Sequence, residues 1–412
     1  MNNPVPLSYR AVLLFTALFG FGAGAAAQNR IAFVNLSGQL VTVAPDGGEA
    51  RVLTPPGRRY QFPAWSPTAS ELAVIGADAA GGGVFTVADR AGAEAEALYQ
   101  DPSAGPIYLY WSPDGEKVGF LASGAGELGL EVATLENADL TEVTTGSPVY
   151  WQWTGDSERL LVHTGLGEDG EVAFYGAAGE TGERFADPGF FNAPGLSPSE
   201  HYLAYAELTA AGARAVLQGN APGTAEVRRE VRYEGVAVLT WSPAADRLAI
   251  MSPPTAVGFP YGPVRLLDAA TGDLTPLVDR SAVAFFWSPD GRHVAYLTPV
   301  QSGGPQAGRV LQQVGTPSRA TTVQSPQLEL RVVTVPTGDD RALTTFTPTP
   351  LFVAQFLPFF DQYALSHSVW APDSSAVVLP MQGDAGPQIV VVPLQGESTV
   401  LGGGEMPFWS RR

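Results

Sequence analysis

Apolar positions along this chain come in short runs broken by turn-forming residues. Val84 to Ala88 and Glu96 to Tyr99, Val264 to Asp268 and Leu274 to Val278, and Leu328 to Val335 and Arg341 to Thr344 each read as a pair of β-strands. Thr271-Gly272-Asp273 and Thr337-Gly338-Asp339 supply turns between two of these pairs. With 47 Gly and 35 Pro in 412 residues, long helices are hard to accommodate. The chain is expected to be all-β.

The runs are organised by a repeat. WSPT begins at Trp65, WSPDG at Trp111, WTGD at Trp153, LSPS at Leu196, WSPA at Trp241, WSPDG at Trp287, WAPD at Trp370 and a last WS at Trp409. The first six anchors are 46, 42, 43, 45 and 46 residues apart, and the next two gaps are 83 and 39. Such a period matches one four-stranded propeller blade. Seven residues after each of the first seven anchors an apolar residue opens another run: Leu72, Val118, Leu160, Leu203, Leu248, Val294 and Val377. A constant offset means that one hairpin recurs around Ser-Pro-Asp-Gly, with Pro setting φ and Asp-Gly closing the turn. Trp65, Trp111, Trp153, Trp241, Trp287, Trp370 and Trp409 are read as structural anchors filling the core. Residues 31 to 54 supply strands two to four of a blade and EMPFWSRR supplies strand one, so the two ends should pair and close the ring. Eight blades are expected, with seven as the alternative because the unit around Leu196 is weakly patterned.

Repeated WSPDG followed by an apolar strand resembles the WD40-like PD40 repeat of TolB-type β-propellers, over nearly the whole chain after residue 27. The resemblance implies a propeller. It does not imply one function, because related propellers serve as envelope scaffolds, peptidase accessory domains and sugar-processing enzymes. The N-terminal α/β domain of TolB has no counterpart in the sequence, so a Tol-Pal role does not carry over.

Residues 8 to 27, SYRAVLLFTALFGFGAGAAA, have the layout of a secretory signal peptide, with Arg10 before a short apolar core and small residues at the end. Cleavage before Gln28 leaves 22 basic and 41 acidic residues, a formal charge of −19. Nucleic acid and anionic lipid are disfavoured by that balance. No later stretch reads as a membrane anchor, and a periplasmic or secreted monomer is expected. The absence of Cys excludes thiolate catalysis and thiolate metal sites.

Two insertions interrupt the unit that begins at Trp287: 299–327, rich in Gln, Gly, Ser, Thr and Pro, and 346–368, FTPTPLFVAQFLPFFDQYALSHS. The second gathers Phe356, Phe359, Phe360, Asp361, Gln362, Tyr363 and His367, the composition of a ligand lid or docking element. These seven are the candidate binding residues. The competing reading is an insertion that buries its aromatics against the propeller. No nucleophile elbow, HExxH or phosphate loop is present, no catalytic residue is assigned, and no cofactor is expected. Glu168-Asp169-Gly170 is the nearest acidic turn for Ca²⁺, but it lacks alternating oxygen ligands. The expected function is a non-catalytic module that binds an envelope protein, peptide or glycan; the alternative is a hydrolase or lyase with its site in the central funnel.

Overall fold

The computed structural model describes residues 29–410 apart from 80, 125, 183, 191, 254–260 and 301–326. The expected signal peptide and most of the insertion at 299–327 therefore lie outside the described residues. What is described is a single β-propeller of four-stranded blades. Each unit runs from an inner strand at the axis, such as Gly105–Trp111, through Lys117–Gly124 and Glu127–Thr134 to an outer strand, Leu140–Gly146.

The seven-residue offset is the register of the recurring hairpin. Trp65 lies opposite Leu72, Trp111 opposite Val118, Trp153 opposite Leu160, Leu196 opposite Leu203, Trp241 opposite Leu248, Trp287 opposite Val294, and Trp370 opposite Val377. Within the turn, Ser112 Oγ donates to Asp114 Oδ1, which also accepts from the Glu116 N–H; Thr154 with Asp156 and Ser288 with Asp290 repeat the arrangement. In these turns the fifth residue, which follows the acid where one is present, has positive φ, reached without strain by Gly115 and Gly291. Ser157, Glu200 and Ser374 hold it with side chains instead. Each of those side chains reaches back to a backbone N–H in the turn of the preceding unit, at Asp114, Gly155 and Asp290 respectively. A strained backbone is thus exchanged for a tie between neighbouring blades.

A second tie uses the indoles. Nε1 of Trp65 donates to Phe408 O, of Trp111 to Ala64 O, of Trp241 to Gly195 O, and of Trp370 to Phe286 O, each acceptor lying just before the preceding anchor. Losing a ring of this size from a core costs about 3–5 kcal/mol.

The strands form seven hydrogen-bonded sheets, six of four strands and one of six. The propeller thus has seven blades, the stated alternative, and the expected eight is corrected for a physical reason: Thr399–Trp409 is one unbroken strand that joins the last two repeat units in one sheet. Its first part pairs with the outer side of Gly386–Pro393, through Gln388 opposite Gly403 and Val391 opposite Thr399. Its second part is the inner strand against Ile31–Asn35, through Asn35 opposite Gly404 and Ile31 opposite Trp409. The ring closes through pairing of its two chain ends, as expected.

Candidate functional site

The insertion at 346–368 leaves the sheet in mid-strand. Pro348 bridges Met381 and Trp370 bridges Val377, so both flank the same neighbour strand, Ala376–Gly383. The inner strand of this unit is split, and the residues between its halves enter the axis as a π-turn at Phe352–Phe356, a 3₁₀ turn at Leu357–Phe359 and the helix Phe360–Ser366. That helix touches four inner strands: Gly105–Trp111, Val149–Trp153, Val238–Trp241 and Ala284–Trp287.

Toward one half of the ring the helix is tightly packed. Tyr363 stacks on Phe62 and Phe356 at centroid distances of 5.1 and 5.0 Å and meets Tyr108 edge-on at 5.1 Å. The His367 ring meets Phe408 at 4.5 Å. Gln362 behaves as an extra strand segment: its Oε1 accepts from the Trp151 N–H at 3.1 Å while its Nε2 donates to Trp151 O at 2.9 Å. Tyr108 Oη donates to Gln362 O at 2.8 Å and lies 2.8 Å from Ser366 Oγ. His367 Nε2 faces Phe62 O at 3.3 Å and so carries the proton there, leaving Nδ1 to accept from Ser366 Oγ at 2.5 Å. Bulges aim the partners inward. Phe62 and Met406 have positive φ and lie at register shifts, and a third shift separates Pro106 from Tyr108.

Toward the other half a cavity of about 760 Å³ remains. Its walls come from the units anchored at Trp153, Leu196, Trp241, Trp287 and Trp370, and its floor from Asp361, Ala364, Leu365 and His367. The sector is open for a local reason: Leu196 stands where other units carry an indole, and its inner strand is only Gly195–Leu196. Gln152 Oε1 accepts from the Leu196 N–H at 2.8 Å in support of that short strand. Asp361 is only 6% exposed. Burial raises its carboxyl to about 6, against the N–H groups of Gln362 and Ala193, which favour the ionised form. Three polar atoms of wall residues, Trp153 Nε1, Thr240 Oγ1 and Trp287 Nε1, are buried without a hydrogen-bond partner.

Of the seven candidate residues, Asp361 and His367 line this cavity, Phe356, Phe360, Gln362 and Tyr363 are buried beneath it, and Phe359 is 43% exposed. The walls of the cavity escaped sequence reasoning, although the missing Trp at Leu196 marks their position. His163 is buried, with its ring nitrogens 2.7 Å from Asn192 O and 3.1 Å from Gly165 O. Among the described residues no group of three His, Asp or Glu is arranged to hold a metal ion. No described helix is long and apolar enough to cross a membrane.

No family model matches the chain, and no curated protein matches it. Among solved structures it is similar to a eukaryotic initiation factor at 13% identity and a TM-score of 0.52, covering 94% of this chain and 99% of that one. It is also similar to TolB from Acinetobacter baumannii, at 14% identity and 0.43, covering 94% and 67% respectively. An oligogalacturonate lyase in complex with manganese gives 13% and 0.45, covering 92% and 86%. Identities this low speak to fold alone. Joined to the ring of four-stranded units, the likeness to the initiation factor at a TM-score of 0.52 describes a β-propeller.

Proposed function

We propose that this chain is an exported, non-catalytic propeller that captures a protein, peptide or glycan in the cavity between its axial insertion and the Leu196 side of the ring. The observation that supports the reading is the cavity itself, whose volume lies within the roughly 300–1,000 Å³ typical of ligand sites and whose floor is built by an element foreign to the repeat. Export follows from the signal-peptide layout of residues 8 to 27, with mature protein starting at Gln28. A second reading has one observation in its favour: a carboxyl raised to about 6 at the cavity floor is suited to proton transfer near neutral pH, as a lyase or hydrolase would need.

The test is to screen defined peptides and glycans against wild type and Ala364→Trp, a substitution of an exposed helix residue that fills the cavity. Binding that disappears in the variant, without turnover of the bound compound, supports capture. Turnover that is lost in Asp361→Asn would replace it with the enzymatic reading, and binding indifferent to Ala364→Trp would move the site elsewhere.

A further inference from the structure

The charges around the cavity point to one class of occupant. Its lining holds three carboxylates, Glu200, Asp290 and Asp361, together with His367, and among the described residues contains neither Lys nor Arg. Elsewhere in the ring several acids are matched, Asp89 with Arg30 and Arg51, Glu207 with Arg214 and Arg228, and Asp340 with Arg331, whereas half-buried Glu71, Glu131 and Glu405 have no such pair among the described residues. Among the described residues none of the three lining carboxylates has such a salt bridge; Asp290 is held by Ser288 and the Arg292 N–H, Glu200 by the Gly155 N–H, and Asp361 by backbone N–H groups. Trp241 and Trp287, both half-buried, stand on the walls, and the buried rings of Trp153 and Trp370 lie behind them. Aromatic rings beside carboxylates that lack an Arg or Lys partner attract an organic cation both by ring quadrupole and by charge.

We infer that the cavity receives the cationic side chain of a basic peptide segment, with Asp361 meeting the ammonium or guanidinium at the floor and the half-buried Trp241 and Trp287 beside the alkyl stem. This rests on the cavity being the ligand site, as proposed above. A cavity of this volume accommodates a short stretch of polypeptide around the charged side chain rather than a bare ion. Cation recognition also accounts for a carboxylate placed where burial opposes its ionisation: an arriving positive charge compensates the desolvation that the N–H groups of Gln362 and Ala193 offset only in part.

The experiment is calorimetric titration, near neutral pH and at low ionic strength, of a blocked alanine-based peptide carrying one central Lys, Arg, Gln or Glu. The Lys and Arg peptides are expected to bind and the Gln and Glu peptides to fail. Asp361→Asn should weaken the Lys peptide by about tenfold or more, and Ala364→Trp should abolish its binding. Because Asp361→Asn removes a buried charge and Ala364 is exposed, both variants are expected to fold; Glu200→Gln and Asp290→Asn supply rim controls with smaller losses. Binding of the Gln or Glu peptide that Ala364→Trp removes would overturn the cationic specificity and leave the cavity as the site. Lys-peptide binding that survives Ala364→Trp would overturn both, and no binding by either basic peptide would overturn the inference.

Discussion

The two halves of the ring treat the same helix differently. On the side of the Trp65 and Trp111 units, bulged inner strands push Phe62 and Tyr108 against Tyr363, and hydrogen bonds from Gln362 and His367 tie the helix to the ring. On the side of Leu196 and Trp241, a two-residue inner strand without an indole leaves about 760 Å³ open. Adjacent residues of one short helix thus have opposite tasks, Tyr363 buried in the core and Ala364 exposed in the cavity. A propeller axis need not be filled or hollow throughout, and one off-centre insertion can make it both.

The largest effect that would break this comparison lies at those neighbours. Tyr363→Ala should destabilise the protein by about 3–5 kcal/mol in denaturant unfolding, as for other large aromatic truncations in cores. Ala364→Trp should change stability by less than about 1 kcal/mol. Equal costs at the two positions would mean that the halves do not differ.

An intermediate effect concerns Asp361. Because its folded carboxyl titrates near 6, above the ordinary range, the folded state keeps this proton longer than the unfolded chain does. Stability from this group is therefore present below about pH 4 and lost as pH rises to about 6, a span of about 3 kcal/mol. Asp361→Asn should remove that span, so the variant gains on wild type between those pH values and holds the gain above them. A difference between the two proteins that does not vary with pH would contradict the burial of this carboxyl.

The smallest effect sharpens the account of the indole ties. Trp370→Phe loses the bond from Nε1 to Phe286 O, whereas Trp287 Nε1 has no partner to lose. Replacing each by Phe should cost about 1 kcal/mol more at Trp370 than at Trp287, read as a shift in unfolding midpoint.

Much of the fold was legible because the blade turn is local: Ser, Pro, Asp and Gly at fixed positions write the hairpin, and the offset from Trp111 to Val118 is its register. The sheet count was not, since nothing in the sequence announces that Thr399–Trp409 continues unbroken from one unit into the next. The insertion was recognisable as foreign, but its composition does not reveal which faces are covered. Its burial depends on Phe62 and Met406 adopting positive φ, a conformation that neither residue type signals. The open sector did leave a trace, the Leu at 196 in a series of Trp.

The central claim is that residues 349–367 form part of the core of the ring and not a loop laid over it. Hydrogen exchange of their backbone amides tests this directly. Protection of Phe360 to His367 matching that of the inner strands Gly105–Trp111 and Val149–Trp153 is the predicted result. Exchange at the rate of exposed turns such as Thr337-Gly338-Asp339 would contradict it.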